Sequence, residues 1–226
     1  MSDQDSPLIK SIAVLGGTGK EGSALAMRWA INGYKVIIGS RSAEKAETVA
    51  REINEALEGD YVTGKSNEEA SAEAGIVVLS VPYKVHAKTL ESVAPQLDGK
   101  ILIDITVPIS PPAVSTVTVP NGMSAAQEAQ ALLGDGVRVV SAFQNVSYVK
   151  IKNPDTYVDC DVLVSGDDQA AKDDVILLIE GAGMRGVDVG PLANAIVAES
   201  LTPVLLYINK KYGAHGAGIR ITGLDK

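Results

Sequence analysis

From residue 12 onward, short apolar, β-branched runs alternate with longer stretches of helical periodicity. The runs are Ile12-Ala13-Val14-Leu15, Val36-Ile37-Ile38, Ile76-Val77-Val78-Leu79, Ile101-Leu102-Ile103 and Val137 to Val140. Each is continuously apolar rather than alternating, as expected of a strand covered on both faces, and so of a parallel sheet with crossover helices. Between the runs, Ala46, Val49, Ala50, Ile53 and Leu57 recur at helical spacing, as do Ala125, Ala129, Leu132 and Leu133. Tyr61-Val62-Thr63 offers a further short strand. The expected fold is α/β, a Rossmann-type doubly wound, mostly parallel sheet with a small C-terminal helical extension.

From Thr106 to Met123 the chain is rich in Pro, Val, Ser and Thr, and Pro108, Pro111, Pro112 and Pro120 argue for a structured loop or edge excursion, not a helix. After Ala142 the alternation loosens. Val162-Leu163-Val164 and Val187-Asp188-Val189 predict two more strands around a helix from about Gln169 to Glu180. A last helical stretch runs to Tyr212, restarted or kinked at Thr202-Pro203, where Thr suits an N-cap and Pro the first helical position. The chain is therefore expected to divide into a flexible leader over 1–9, a Rossmann domain over 10–144 and a smaller C-terminal part over 145–226.

Composition narrows the function. Aromatic residues make up 4% of the 226, and the formal net charge is −8, so neither a base-stacking surface nor a phosphate-tracking field is expected. Any anion must be held by a local site. One cysteine, Cys160, excludes an internal disulfide; it lies between Asp159 and Asp161, and the lack of a second Cys or a nearby His argues against a catalytic or metal role. The opening residues lack the features of a signal peptide, and no apolar run approaches the ~18 residues of a membrane helix. A cytoplasmic protein, with no membrane and no nucleic-acid partner, is the expectation.

The chemistry begins where the first strand meets Gly16-Gly17-Thr18-Gly19-Lys20-Glu21-Gly22 and a helical pattern follows. Gly17-x-Gly19-x-x-Gly22 is the dinucleotide fingerprint in its required context, with Gly17 for the turn, Gly19 for close approach of a pyrophosphate and Gly22 for helix–strand packing. The second strand ends in Gly39-Ser40-Arg41, with Lys45 one turn on. An NAD site places an acid there for the ribose 2′-hydroxyl; a hydroxyl, a guanidinium and a lysine suit the 2′-phosphate of NADP(H) instead. Ser80-Val81-Pro82-Tyr83 ends the fourth strand and Asp104-Ile105-Thr106-Val107-Pro108 follows the fifth, and both loops are expected to border the nicotinamide. The two histidines, His86 and His215, have no cysteine partner or metal-ligand spacing, and His86 reads as a loop or surface residue. No catalytic side chain and no metal are expected: hydride passed between two redox cofactors requires mainly positioning and exclusion of water.

At this point the sequence resembles the NADPH-dependent reductases of coenzyme F420, the 8-hydroxy-5-deazaflavin. The likeness runs from about Ile12 to Leu224. It is carried by Leu15-Gly16-Gly17-Thr18-Gly19, Gly39-Ser40-Arg41, Val81-Pro82, Val139-Val140-Ser141-Ala142, Ser165-Gly166-Asp167-Asp168, Asp188-Val189-Gly190-Pro191-Leu192 and Glu199-Ser200-Leu201-Thr202-Pro203. The resemblance implies reversible hydride transfer between NADP(H) and the deazaflavin by a homodimer holding both cofactors face to face. It matches Thr18, Ser40, Arg41 and Lys45 to the NADP-phosphate residues, and Val81 and Pro82 to the nicotinamide wall. It also implies a deazaflavin pocket lined by the loop after Ala142, with Gln144 and Asn145, and by the C-terminal helix. Archaeal members carry a His where this chain has Gln144, so Phe143-Gln144-Asn145-Val146 looks like the bacterial branch. The competing readings are a related NADPH reductase of flavin, ferric iron or an imine, and a non-catalytic NADP(H) sensor.

Overall fold

The apolar runs assemble into one eight-stranded sheet in the order β3-β2-β1-β4-β5-β6-β7-β8. The computed structural model describes residues 11–109, 111–154 and 156–224, so the leader expected over 1–9 lies outside the described residues. The strands are β1 (Ile12–Leu15), β2 (Val36–Ser40), β3 (Val62–Ser66), β4 (Ile76–Leu79), β5 (Ile101–Asp104), β6 (Arg138–Ser141), β7 (Asp161–Gly166) and β8 (Arg185–Asp188). The helices are α1 (Lys20–Ile31), α2 (Ala43–Ala56), α3 (Asn67–Glu73), α4 (His86–Leu97), α5 (Ala125–Leu133), α6 (Tyr148–Ile151), α7 (Gln169–Gly181) and α8 (Ala195–Tyr212). Strands β1 to β6 are parallel; β7 pairs antiparallel with β6, and β8 pairs parallel with β7.

Both faces of the central strands are buried, which is why their sequences do not alternate. One face packs Ile12, Val14, Val78 and Ile103 under α1 and α7; the other packs Ala13, Leu15, Val77 and Leu102 under α4 and α5. Three helices went unforeseen: α3, α4 and the short α6. α3 is short and rich in glutamate, and a Ser66–Glu69 capping box defines its start. α4 carries Pro95 within it. Among its described residues the proline-rich stretch is a loop with a 3₁₀ turn at Pro120–Gly122.

The C-terminal part completes the same sheet and clasps α1. Arg28 of α1 is buried, and its guanidinium donates to the carbonyls of Ile151 (2.8 Å), Ala182 (2.7 Å) and Thr156 (2.9 Å). Trp29 donates from Nε1 to Leu178 O (2.9 Å) and meets Phe143 edge to face at 6.0 Å. Burying a guanidinium is costly unless its donors are satisfied, so these carbonyls fix where α6 and the end of α7 sit.

Of the two alternatives at Thr202-Pro203, the restart of the helix falls away. The helix continues through Pro203 as one element, and Thr202 directs its hydroxyl to Gln144 O (2.6 Å) instead of capping a new helix. Leu192–Tyr212 is also long and apolar enough to cross a membrane by length and composition. Asn194, Glu199, Thr202 and Asn209 interrupt its apolar runs, so no continuous apolar stretch of that length stands in the sequence. Val197, Val204 and Tyr207 are exposed on this helix.

Candidate cofactor site

The carboxyl ends of β1, β2, β4, β5 and β6 lie along one edge of the sheet, where the glycine loop turns into α1. The left-handed residue of that turn is Gly16, with φ +73°, one position before the fingerprint. Gly17 serves by its missing Cβ, which would lie 2.7 Å from Val14 O and 3.0 Å from Ile38. A Cβ on Gly22 would sit 3.0 Å from Gly17 Cα and 3.1 Å from Ser80 Oγ, so its absence lets α1 approach the loop. Gly19 is the N-cap of α1 and offers no side-chain cap, which leaves the helix terminus open to an anion.

Two adjoining hollows run along this edge. The first, about 200 Å³, is bordered by Thr18, Ser40, Arg41, Asn67, Val85 and Thr89. The second, about 370 Å³, is bordered by Lys20, Glu21, Tyr83, Thr106, Gln144 and Thr202. Gly19, Ser80, Val81 and Pro82 line both, so the hollows meet at the end of β4. Val107 lines the larger one, whereas Pro108 lines neither. Lys45 is exposed on the first turn of α2 and also lines neither; Ser42 caps that helix by accepting from Lys45 N.

Asn145 stands apart from this trough. It is buried, donates from Nδ2 to Asp161 O (2.7 Å) and accepts at Oδ1 from Leu163 N (3.2 Å), so it joins the loop after β6 to β7. Of the 145–152 segment only Val146 lines the larger hollow, while Tyr148 and Lys152 border a separate one with Thr18 and Lys20. Sequence reasoning missed Asn67, Thr89 and Thr202 as lining residues, whereas Thr106 stands in the loop expected beside the nicotinamide. Asn67 had a signal, since a Ser66-x-x-Glu69 box after a strand places the next residue at the sheet's carboxyl edge. Its Oδ1 is buried without a hydrogen-bond partner.

The expectation for His86 is overturned. The side chain is buried, opens α4, and shares a 2.6 Å contact between Nε2 and Asp104 Oδ2. Its ring stacks with Tyr83 at 6.1 Å. Burial opposes the imidazolium, but the hydrogen bond and charge of Asp104, aided by Glu128 and Glu199, hold its pKa above the ordinary value. Asp104 Oδ1 also accepts from Thr106 N (2.9 Å), and Asp104 O accepts from Gln144 Nε2 (2.7 Å). No sequence pattern linked residues 86 and 104; adjacent parallel strands bring them together.

Two carboxyl groups are perturbed by burial. Glu21, at the mouth of the larger hollow, rises to about 7 through desolvation. Glu199 of α8 rises to about 8, again chiefly through desolvation, although the N–H groups of Ala125 (2.8 Å) and Ala126 (3.2 Å) at the start of α5 bind it. Tyr83 is pushed up to about 12 by burial and by its hydrogen bond to Glu128.

A glycine loop at a parallel-sheet edge, an uncapped helix N-terminus and a long trough define a Rossmann-type dinucleotide-binding oxidoreductase. Residues 11–108 match the family described as NADP oxidoreductase, coenzyme F420-dependent. The chain is 43% identical to the F420-dependent NADP reductase of Methanothermobacter marburgensis, over 95% of this chain and 99% of that one. It is 41% identical to the protein of the same name from Methanocaldococcus jannaschii, with the same two coverages. Among solved structures, a hypothetical protein of Sinorhizobium meliloti shares the fold with a TM-score of 0.69, covering 83% of this chain and 88% of that one at 23% identity. The chain belongs to the F420-dependent NADP reductase family, and it is an NADP-dependent oxidoreductase.

The buried Glu199 makes stability depend on pH. Its folded pKa lies above the unfolded value of 4.5, so the stability it contributes when protonated is fully present below about 4.5 and lost as pH rises through about 8. Glu199→Gln should remove that slope. Urea midpoints at about pH 5 and about pH 8 should show wild type losing on the order of 2–4 kcal/mol relative to the variant. Identical pH dependence in the two proteins would show that Glu199 is ionised in the folded state throughout.

Proposed function

We propose that the protein transfers a hydride reversibly between NADP(H) and coenzyme F420: reduced F420 and NADP+ give oxidised F420, NADPH and a proton. The observation that carries the reading is the pair of hollows meeting at Ser80, Val81 and Pro82, which provides room for two ligands in contact. When bound, the two cofactors supply the redox chemistry, one as hydride donor and the other as acceptor.

The chain's own residues bind, orient and exclude water. Gly17, Gly19 and Gly22 let the pyrophosphate approach the start of α1, beside Thr18 and Lys20. Glu21 would repel that anion less than an ordinary carboxylate, since a group with a pKa of about 7 is half neutral at physiological pH. Ser40 and Arg41 hold the 2′-phosphate; Arg41 is exposed and forms no ion pair among the described residues. Lys45 adds positive potential from a turn away, and Asn67 Oδ1 accepts a hydrogen bond from the adenosine end. Val81, Pro82 and Val107 wall the nicotinamide, and Gln144 and Thr202 border the deazaflavin. Pro108 stiffens the turn after Val107, and Asn145 supports the Gln144 loop from behind.

The same reading places a Rossmann domain over 10–144 and a C-terminal part over 145–226, and makes the active form a cytoplasmic homodimer. The exposed apolar positions of α8, Val197, Val204 and Tyr207, support self-association.

Three measurements test this. Mixed with NADPH and F420, the protein should bleach the visible absorbance of the deazaflavin and restore it with NADP+; efficient turnover of FMN without deazaflavin activity would instead identify a flavin reductase. Arg41→Ala should raise the KM for NADPH by roughly 10- to 100-fold with kcat little changed, because a charged hydrogen bond far from the hydride contributes equally to ground and transition states. Equal loss of efficiency with NADH would remove Arg41 from the phosphate site. Val204→Glu should shift the sedimentation coefficient from dimer to monomer, and an unaltered dimer would place the interface elsewhere.

A further inference from the structure

Asp104 holds two side chains that share an unusual property. Thr106 and Gln144 are each 3% exposed, and both line the larger hollow. Thr106 Oγ1 and Gln144 Oε1 nevertheless have no hydrogen-bond partner. Buried polar atoms normally find partners, and an orphan at a cavity wall marks a place where a ligand completes the bonding.

The orientation of Gln144 follows from its surroundings. Asp104 O can only accept, so the atom 2.7 Å from it must be the amide nitrogen, which also lies 2.9 Å from Ser141 Oγ. The carboxamide is therefore pinned with Oε1 as a pure acceptor. Its backbone is pinned as well, by the Thr202 hydroxyl on Gln144 O. Thr106 is fixed from the other side of Asp104 through its own N–H. A fixed acceptor does not suit a phosphate or carboxylate; it requires a donor on the ligand, such as an N–H. The threonine hydroxyl can donate to a carbonyl or accept in turn.

We propose that Thr106 Oγ1 and Gln144 Oε1 are the polar contacts for an amide edge, an N–H beside a C=O, on the redox ring that enters the larger hollow, with Asp104 as the positioning residue for both. This rests on the reading that the trough takes NADP(H) and a deazaflavin. Each of those rings carries such an edge: the carboxamide of nicotinamide, and the imide of the deazaflavin's pyrimidine ring. His86 has a part in the arrangement, because its contact with Asp104 Oδ2 leaves Oδ1 for Thr106.

The test uses the whole chain with Thr106→Val and Thr106→Ser. The valine variant removes a hydroxyl that has no partner within the protein, so its Tm should equal or exceed that of wild type. Fluorescence titrations with NADP+, with oxidised F420 and with 2′-phospho-ADP-ribose, which lacks the nicotinamide, then separate the sources. Thr106→Val should weaken one ring-bearing ligand by roughly 3- to 10-fold, Thr106→Ser should restore it, and 2′-phospho-ADP-ribose should bind unchanged. Weakened NADP+ assigns the carboxamide; weakened F420 assigns the imide. Unchanged binding of both, or an equal loss of 2′-phospho-ADP-ribose, would overturn the inference. Wild type binding neither NADP+ nor F420 would overturn the underlying functional reading instead.

Discussion

The constraint on which the rest depends is the in-register parallel pairing of β2, β1, β4, β5 and β6. Leu15 pairs with Gly39 on one side and Leu79 on the other, Leu79 with Asp104, and Asp104 with Ser141. Five strands therefore end on nearly one line, and whatever follows each must emerge at the same edge. The glycine turn, Ser40, Ser80, Thr106 and Gln144 come from separate parts of the chain and become neighbours because of this register. Backbone polar groups freed at that edge, together with the uncapped N-terminus of α1, create a local field that favours an anion in a protein whose net charge is −8.

Asp104 shows how strand ends become machinery. Its backbone completes the β5 ladder, while its side chain and carbonyl position His86, Thr106 and Gln144. A fully buried carboxylate is costly to desolvate, and here a histidine and a backbone N–H compensate it. The result is rigid, which suits a reaction whose residues mainly position the reactants. Glu199 connects the same region to α8: one end of the link is the start of α5, and one turn further along the helix Thr202 holds Gln144 O.

α1 ties the nucleotide side to the C-terminal part. Its first residues face the trough, while Arg28 and Trp29 near its end are bound by carbonyls of α6, α7 and the loop between α6 and β7. One rigid rod thus sets the distance between the glycine loop and the elements behind Gln144. The exposed apolar positions of α8 lie outside this clasp, and so remain available to a second copy in the proposed dimer.

The order of elements, the doubly wound sheet and the nucleotide end of the trough were legible in the chain by itself. They depend on local rules: β-branched runs, helical spacing, and glycines where a Cβ would strike Val14 O or Gly17 Cα. The position of Ser40 and Arg41 was legible because Ser40 ends a strand and Arg41 directly follows it. What tertiary structure alone decided involves partners far apart in sequence. His86 reads as a surface residue until α4 buries it against Asp104, and Asn145 reads as a cofactor contact until β7 takes both ends of its amide. Thr106 was legible as part of the loop after β5, but its burial and its tie to Asp104 came from the tertiary structure. Hydrophobic period is encoded in neighbouring residues, whereas the satisfaction of a buried polar group depends on which strand lies alongside.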